Sequence, residues 1–277
     1  MSKVILREVK VATLPVALPA FDGEVSLGAD GGLSKANLRS QDGKLTVDLR
    51  NAPKGLEADF TARGWRAPIG PNLDFEEITG RAVATGTEVT FSDLSARLYG
   101  GSATGHARLT WNGPWTLAGE FSTRDLDLAT ALKALSGQFR ATGRIETNGR
   151  YTLQAASFAR LFGEPHVEAA FKVERGELEN VDLTRALQQA AAGTPVRGGK
   201  TQFAQLSGTV NVSGKTYQYR QLALASGILL AQGSTDLVPS GDLSGRLNVE
   251  LSAKPNPIRA VVAVSGKLPD PQLRPSR

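Results

Sequence analysis

Few residues in this sequence could do chemistry. They are two histidines, His106 and His166, two neighbouring carboxylate pairs, Glu76-Glu77 and Asp125/Asp127, one Gly198-Gly199-Lys200-Thr201 run and three tryptophans. Histidines that share a metal need a companion ligand at coordinating spacing. These two are 60 residues apart, without an acidic partner at such spacing, so both read as solvent-facing and no metal site is expected. Adjacent residues of a strand point to opposite faces, so Glu76 and Glu77 would not converge on one substrate. Asp125 and Asp127 could share a face as acid and base, but acidic groups that enter a helix offset its dipole, which is a simpler role. Gly-Gly-Lys-Thr invites a phosphate-loop reading. That motif needs a Gly five positions before its second Gly and runs strand, loop, helix. Position 194 is Thr, a helical pattern precedes the run, and a strand pattern follows from Gln202. No Gly-x-Ser-x-Gly elbow is present, and Trp65, Trp111 and Trp115 are too few to form a carbohydrate platform. The sequence points away from catalysis, with no nucleotide and no cofactor expected.

The elements that would position these residues are mostly strands. Residues 103–111 alternate apolar or small with polar side chains. Leu243, Leu247, Val249 and Leu251 share one face, while Ser244, Arg246, Asn248 and Glu250 share the other. Ala204, Leu206, Val210 and Val212 alternate with polar residues, as do Val167, Ala169, Phe171 and Val173, Leu45 to Leu49, and Leu56 to Phe60. Strict alternation marks strands with one dry and one wet face, which belong to antiparallel sheets. Between the runs lie turn signals: Asp22-Gly23, Asp30-Gly31-Gly32, Asp42-Gly43, Asn112-Gly113-Pro114, Asn148-Gly149, Ser213-Gly214 and Ser240-Gly241-Asp242. Their spacing predicts a meander of roughly 14 to 16 strands. Three segments have helical spacing instead: Leu128 to Leu135, Ala155 to Phe162, and Leu183 to Ala192 with Asp182 as N-cap. The first and third repeat each other, with Asp127 and Asp182 aligned at an offset of 55. Residues 193–199 read as a helix-to-strand loop and Gly266 to Pro275 as a frayed exit.

Composition narrows the class. The chain has 277 residues, 40% of them hydrophobic, enough for a sizeable core and too apolar for disorder. It has no Cys, which excludes a disulfide scaffold. The best apolar stretch, Val11 to Phe21, is broken by Pro15 and Pro19 and is too short to span a membrane. No signal peptide is visible. The net charge of +5 lies wholly in residues 200–277, much of it from Lys254 onward. It could attract anionic head groups or simply solvate the chain. Its basic residues stand singly, without interleaved aromatics, so nucleic acid is not expected.

A long meander with one apolar face can close into a barrel, fold into a sandwich, or bend into a trough. Large exposed apolar patches are rare in soluble monomers. The dry face here is rich in Ala, Gly, Val and Leu, a smooth lining that suits acyl chains, with ~0.8 kcal/mol gained per buried CH₂. The fold expected is mainly β: a long, curved antiparallel sheet that forms an open apolar groove, with about three short amphipathic helices. Its candidate lining is Leu109, Leu117, Phe121, Phe171, Val173, Leu206, Val210, Val212, Leu247, Val249 and Leu251. The same residues would equally suit a closed core.

Several motifs occur in a familiar order. They are Leu98-Tyr-Gly-Gly-Ser-Ala-Thr-Gly105, Leu117-Ala-Gly-Glu-Phe-Ser-Thr-Arg-Asp-Leu-Asp-Leu128, Phe171 to Leu183, Gly198 to Gly208 and Gly266-Lys-Leu-Pro-Asp-Pro271. From about Phe91 onward the sequence resembles the C-terminal region of the AsmA-like proteins, bacterial relatives of the repeating β-groove lipid transport proteins. Residues 1–90 fit only loosely, so the chain reads as an N-terminal β-groove segment, 1–90, and an AsmA-like region, 91–277. The resemblance implies a non-catalytic periplasmic protein that shields phospholipid acyl chains between inner and outer membrane. It also implies an inner-membrane attachment through an N-terminal helix that these residues lack. A scaffold for outer-membrane protein assembly is the alternative, and a hydrolase using Asp125 and Asp127 a remote third.

Overall fold

The computed structural model describes residues 2–10, 18–135, 139–252 and 256–276. Most of the Val11 to Phe21 run, Pro15 included, and Lys254 lie outside the described residues. The protein is mainly β, with 18 strands in one long antiparallel sheet and two short α-helices among the described residues. By packing, the chain divides into two units, Met1–Ser122 with Tyr151–Pro165 and Thr123–Arg150 with His166–Arg277.

The first unit is a meander. It holds β1 (Ser2–Val9), β2 (Phe21–Leu27), β3 (Leu33–Ser40), β4 (Leu45–Ala52), β5 (Gly55–Arg66), β6 (Asp74–Ala84), β7 (Glu88–Leu98) and β8 (Gly101–Thr110). Each strand pairs antiparallel with the next. Cross-strand register carries the alternation from strand to strand. Val25, Ala36, Leu49, Ala58, Ala82, Phe91 and Ala107 are successive partners across β2 to β8. At the usual ~4.8 Å between strands, this row spans about 30 Å. Strand β9 (Trp115–Asp127), helix α1 (Leu128–Leu135) and strand β10 (Arg144–Ala155) follow, and β9 and β10 contribute residues to both units.

The second unit has a closed core. It holds β11 (His166–Glu179), α2 (Leu183–Gln188), β12 (Val196–Arg197), β13 (Lys200–Ser213), β14 (Thr216–Ser226), β15 (Leu229–Leu237), β16 (Leu243–Leu251), β17 (Ile258–Lys267) and β18 (Asp270–Ser276). Asp182 caps α2, its carboxylate accepting from Arg185 N at 2.8 Å. Leu183, Ala186 and Leu187, at helical spacing, are at most 2% exposed and face β13, β16, β17 and β18.

Several expectations change. The strands number 18, since β12 and β18 form in stretches read as a loop and a frayed exit. Ala155 to Phe162 is not an α-helix; only a 3-10 turn, Phe158–Arg160, forms there. Asp22-Gly23 and Asn148-Gly149 lie inside β2 and β10. Gly23 sits where a Cβ would stand 2.0 Å from the Asn37 carbonyl oxygen, so its glycine serves strand approach rather than a turn. The chain end is ordered rather than frayed: β18 pairs with β17, and Leu273 and Pro275 are fully buried. Within 193–199, Val196 is buried and pairs with Leu273, making a short strand on β18.

Both units contain the same bulged module. In β7, Asp93 has a positive φ, and the register shifts by one residue against both β6 and β8. In β14, Gln221 does the same against β13 and β15. Such bulges bend a strand and raise its twist. Each faces a glycine, Gly80 or Gly208, against which one ring of an edge-to-face pair, Phe60 or Phe171, packs. Phe60 and Phe91 stand 6.4 Å apart at 86°, and Phe171 and Tyr219 stand 6.4 Å apart at 85°. Desolvation pushes the Tyr219 phenol up to about 12. The offset is 128 for Gly80 to Gly208, Gly86 to Gly214, Phe91 to Tyr219, Asp93 to Gln221, Leu94 to Leu222 and Gly105 to Gly233, whereas the facing rings Phe60 and Phe171 come from strands outside that repeat.

Gly198-Gly199-Lys200-Thr201 opens β13. Lys200 Nζ pairs with Glu177 at 2.7 Å. The buried Thr201 hydroxyl donates to Val181 O at 2.6 Å and accepts from Leu183 N at 3.0 Å, tying the start of α2 to the sheet. Thr201→Val keeps the shape and orphans both groups. It is expected to lower stability by ~1–3 kcal/mol, read as a lower urea midpoint with an unchanged slope.

Candidate functional site

The first unit carries charge on one face and apolar groups on the other. Arg50 bridges Glu57 at 2.7 Å and Asp59 at 3.0 Å, and Arg81 reaches Asp59 at 3.1 Å. Glu77 lies between Arg63 at 2.9 Å and Arg97 at 2.8 Å. Hydrogen bonds from Arg81 to Asp59 and from Arg63 to Glu77 hold both carboxyls below their ordinary range. These groups project opposite to Val47, Leu49, Ala58 and Phe60, since neighbours along a strand alternate. On the charged face, Thr46, Asp48, Asp59, Thr61, Arg81 and Asp93 help line a shallow depression of about 310 Å³.

The apolar face is covered unevenly. Among the described residues thirty hydrophobic ones are buried; ten of these lie in the first unit, and five of those ten are alanines. Its buried cluster is small: Phe21, Leu45 and Ala62, with Leu18, Leu38, Val47, Phe60, Trp65 and Ile78 around it. Leu49, Ala58, Val89, Phe91 and Leu109 remain half-buried. Both α-helices start in the second unit, and there α2 covers part of the apolar side.

The eleven lining candidates therefore separate. Val173 and Val249, each 2% exposed, belong to the sealed core of the second unit, against which Phe171, Leu206, Leu247 and Leu251 also pack. Leu109, Leu117, Phe121, Val210 and Val212 are half-buried and outside both buried clusters. Ala204, expected on the dry side, is exposed, and Phe203 is buried instead. The cause is Arg175, opposite on β11, whose positive φ turns the strand so that the dry face changes phase. The row through Leu49, Ala58 and Phe91 had no place in the candidate lining, although its alternation was visible in Leu45 to Leu49 and Leu56 to Phe60.

The chemical candidates have structural roles. Asp127 caps α1, accepting from Thr130 N at 2.8 Å and Thr130 Oγ at 2.6 Å; the hydroxyl bond, then the amide bond, lowers its pKa. Asp125 faces Arg144 at 3.5 Å, and both Asp125 and Asn180, at the offset of 55, have positive φ before a helix. Glu76 and Glu77 have different partners: Glu76 accepts from Gly100 N at 3.4 Å. His106 is exposed, and His166 Nδ1 lies 3.3 Å from Ser213 Oγ. Among the described residues, no three His, Cys, Asp or Glu side chains are grouped to hold a metal. In the basic last third, Arg220, Arg259 and Lys267 pair with Asp236, Glu250 and Asp242.

Two loops from opposite strand ends meet in the first unit. The β5–β6 loop, residues 67–73, leaves one end of the strands; the β10–β11 connection, residues 156–165, leaves the other. A Cβ built on Gly70 would stand 2.8 Å from the Phe162 ring. Compared with protein-family models, curated proteins and solved structures, the chain gives no match.

Proposed function

We propose that this protein is a non-catalytic lipid carrier whose apolar sheet face shelters phospholipid acyl chains, in the manner of an envelope protein that moves lipid between inner and outer membrane. The observation that carries the reading is the apolar row from Val25 to Ala107, in which Val25, Leu49, Ala58 and Phe91 stay half-buried between buried alanines, long enough for an acyl chain and opposite a face of paired charges. Opposite strand ends that approach at Gly70 and Phe162 support a sheet bent around that face. Desolvation supplies the affinity: a 16-carbon chain gains on the order of 12 kcal/mol before the costs of ordering. No bond need be made or broken. Among the described residues no helix is long and apolar enough to cross a membrane.

Trp65 gives a direct test, because it packs in the apolar cluster of the first unit. In a Trp111→Phe/Trp115→Phe variant, phosphatidylcholine brominated along its acyl chains is expected to quench Trp65 emission. No quenching across the titration would contradict the reading.

One observation favours a second reading, a scaffold for outer-membrane protein assembly. Strand β1 exposes Val4 and Ile5, 42% and 70%, one on each of its faces, apolar side chains that a client laid along this strand would cover.

A further inference from the structure

We propose that residues 156–165 form a strap across the apolar face of the first unit and gate the entry of acyl chains; this rests on the acyl-chain reading above. The strap begins on the apolar side. Trp115 shares its strand face with Leu117 and Phe121, and the Phe158 ring meets Trp115 edge-on at 5.1 Å. Trp115 in turn stacks on Trp111 at 5.6 Å, and Trp111 Nε1 donates to Gly86 O at 3.1 Å, so the starting point is fixed. The strap ends on the apolar side too. Phe162 rests on Gly70, in a loop flanked by Trp65 and Phe75, which stack at 6.3 Å. Trp65, like Phe60 and Ile78, packs against the apolar cluster of Phe21, Leu45 and Ala62. Between these two points Leu161 is 1% exposed.

The attachment is of a kind that can release. Apart from the flanking strands, the strap's backbone hydrogen bonds stay within it: Arg160 N to Ser157 O, Leu161 N to Phe158 O and Gly163 N to Arg160 O. Among the described residues, no side-chain hydrogen bond or ion pair joins residues 156–165 to the rest of the unit. What holds the strap is apolar contact, the same interaction that an entering acyl chain offers in exchange. A segment without hydrogen bonds to its surroundings opens at lower cost than one tied into the sheet. Gly70 has a φ of +76°, and a side chain there would collide with the ring, so the latch needs a glycine.

The test is the rate at which the chain takes a pyrene-acyl phosphatidylcholine from self-quenched vesicles. Phe162→Ala removes the latch and is expected to speed uptake about tenfold, with the amount bound at equilibrium unchanged. Gly70→Val should act in the same direction from the other loop. Because the chain has no Cys, Gly70→Cys/Phe162→Cys can be tethered by a short bis-maleimide, which should slow uptake about tenfold relative to the untethered pair. Rates equal to wild type in the Phe162→Ala and tethered proteins would overturn the strap while leaving the acyl reading in place. Absence of uptake by the wild-type chain would overturn both.

Discussion

Leu49→Asp is expected to weaken phospholipid binding roughly a hundredfold, about 2.7 kcal/mol, while the strands stay formed. Leu49 lies in the row between Ala36 and Ala58, half-buried and outside both buried clusters. In the lipid-free protein, a carboxylate there keeps much of its water, so the fold tolerates it. An acyl chain seated on the row would strip that water, and an unpaired charge removed from water costs several kcal/mol. Leu109→Asp tests the same face at β8, where Leu109 pairs with Val89. Circular dichroism and the urea midpoint report the fold, and acyl-chain quenching of Trp65 reports binding. Val210→Asp probes the second unit, where Val210 is also half-buried. Leu247→Asp is a poor probe by comparison, since Leu247 packs on the sealed core and its loss would confuse binding with stability.

Leu187 carries the second large effect, on stability. It is 2% exposed, beside Leu183 at 1% and Ala186 at 0%, on the helix that closes the second unit. Leu187→Ala leaves a cavity under α2 and should cost ~2–5 kcal/mol, a large part of the ~5–15 kcal/mol that holds a typical domain. Leu187→Asp adds a buried charge without a partner and should abolish the cooperative unfolding transition of this unit. Hydrogen exchange followed by peptide is the measurement. Peptides of β16, β17 and β18 are expected to lose protection, because α2 packs on those strands. Native protection there in Leu187→Asp would show that the helix is not the plug.

The sheet was legible because alternation is local. Residues 103–111 and 243–251 have the burial pattern their side chains announce. The two capping carboxylates, Asp127 and Asp182, were legible for the same reason. What was hidden depends on partners far away in the chain. The dry face changes phase at Ala204 because of Arg175 on another strand. Val173 and Val249 have the alternation of a groove lining, yet both belong to the sealed core of the second unit, and no period in their own strands reports what packs on top. The repeat at offset 128 was in the sequence, carried by Gly80/Gly208, Gly86/Gly214 and Gly105/Gly233. Its meaning needed the bulges at Asp93 and Gln221 and the ring that packs on the first glycine of each copy. The Phe162–Gly70 contact joins loops from opposite strand ends and leaves no local trace at all.

The most direct measurement is native mass spectrometry of the intact chain after incubation with phospholipid vesicles and removal of free lipid. The expected spectrum shows the chain carrying whole phospholipid masses, and those adducts vanish in Leu49→Asp at equal folded concentration. A spectrum of the bare chain alone, or adducts that persist unchanged in Leu49→Asp, would contradict an acyl site on this face.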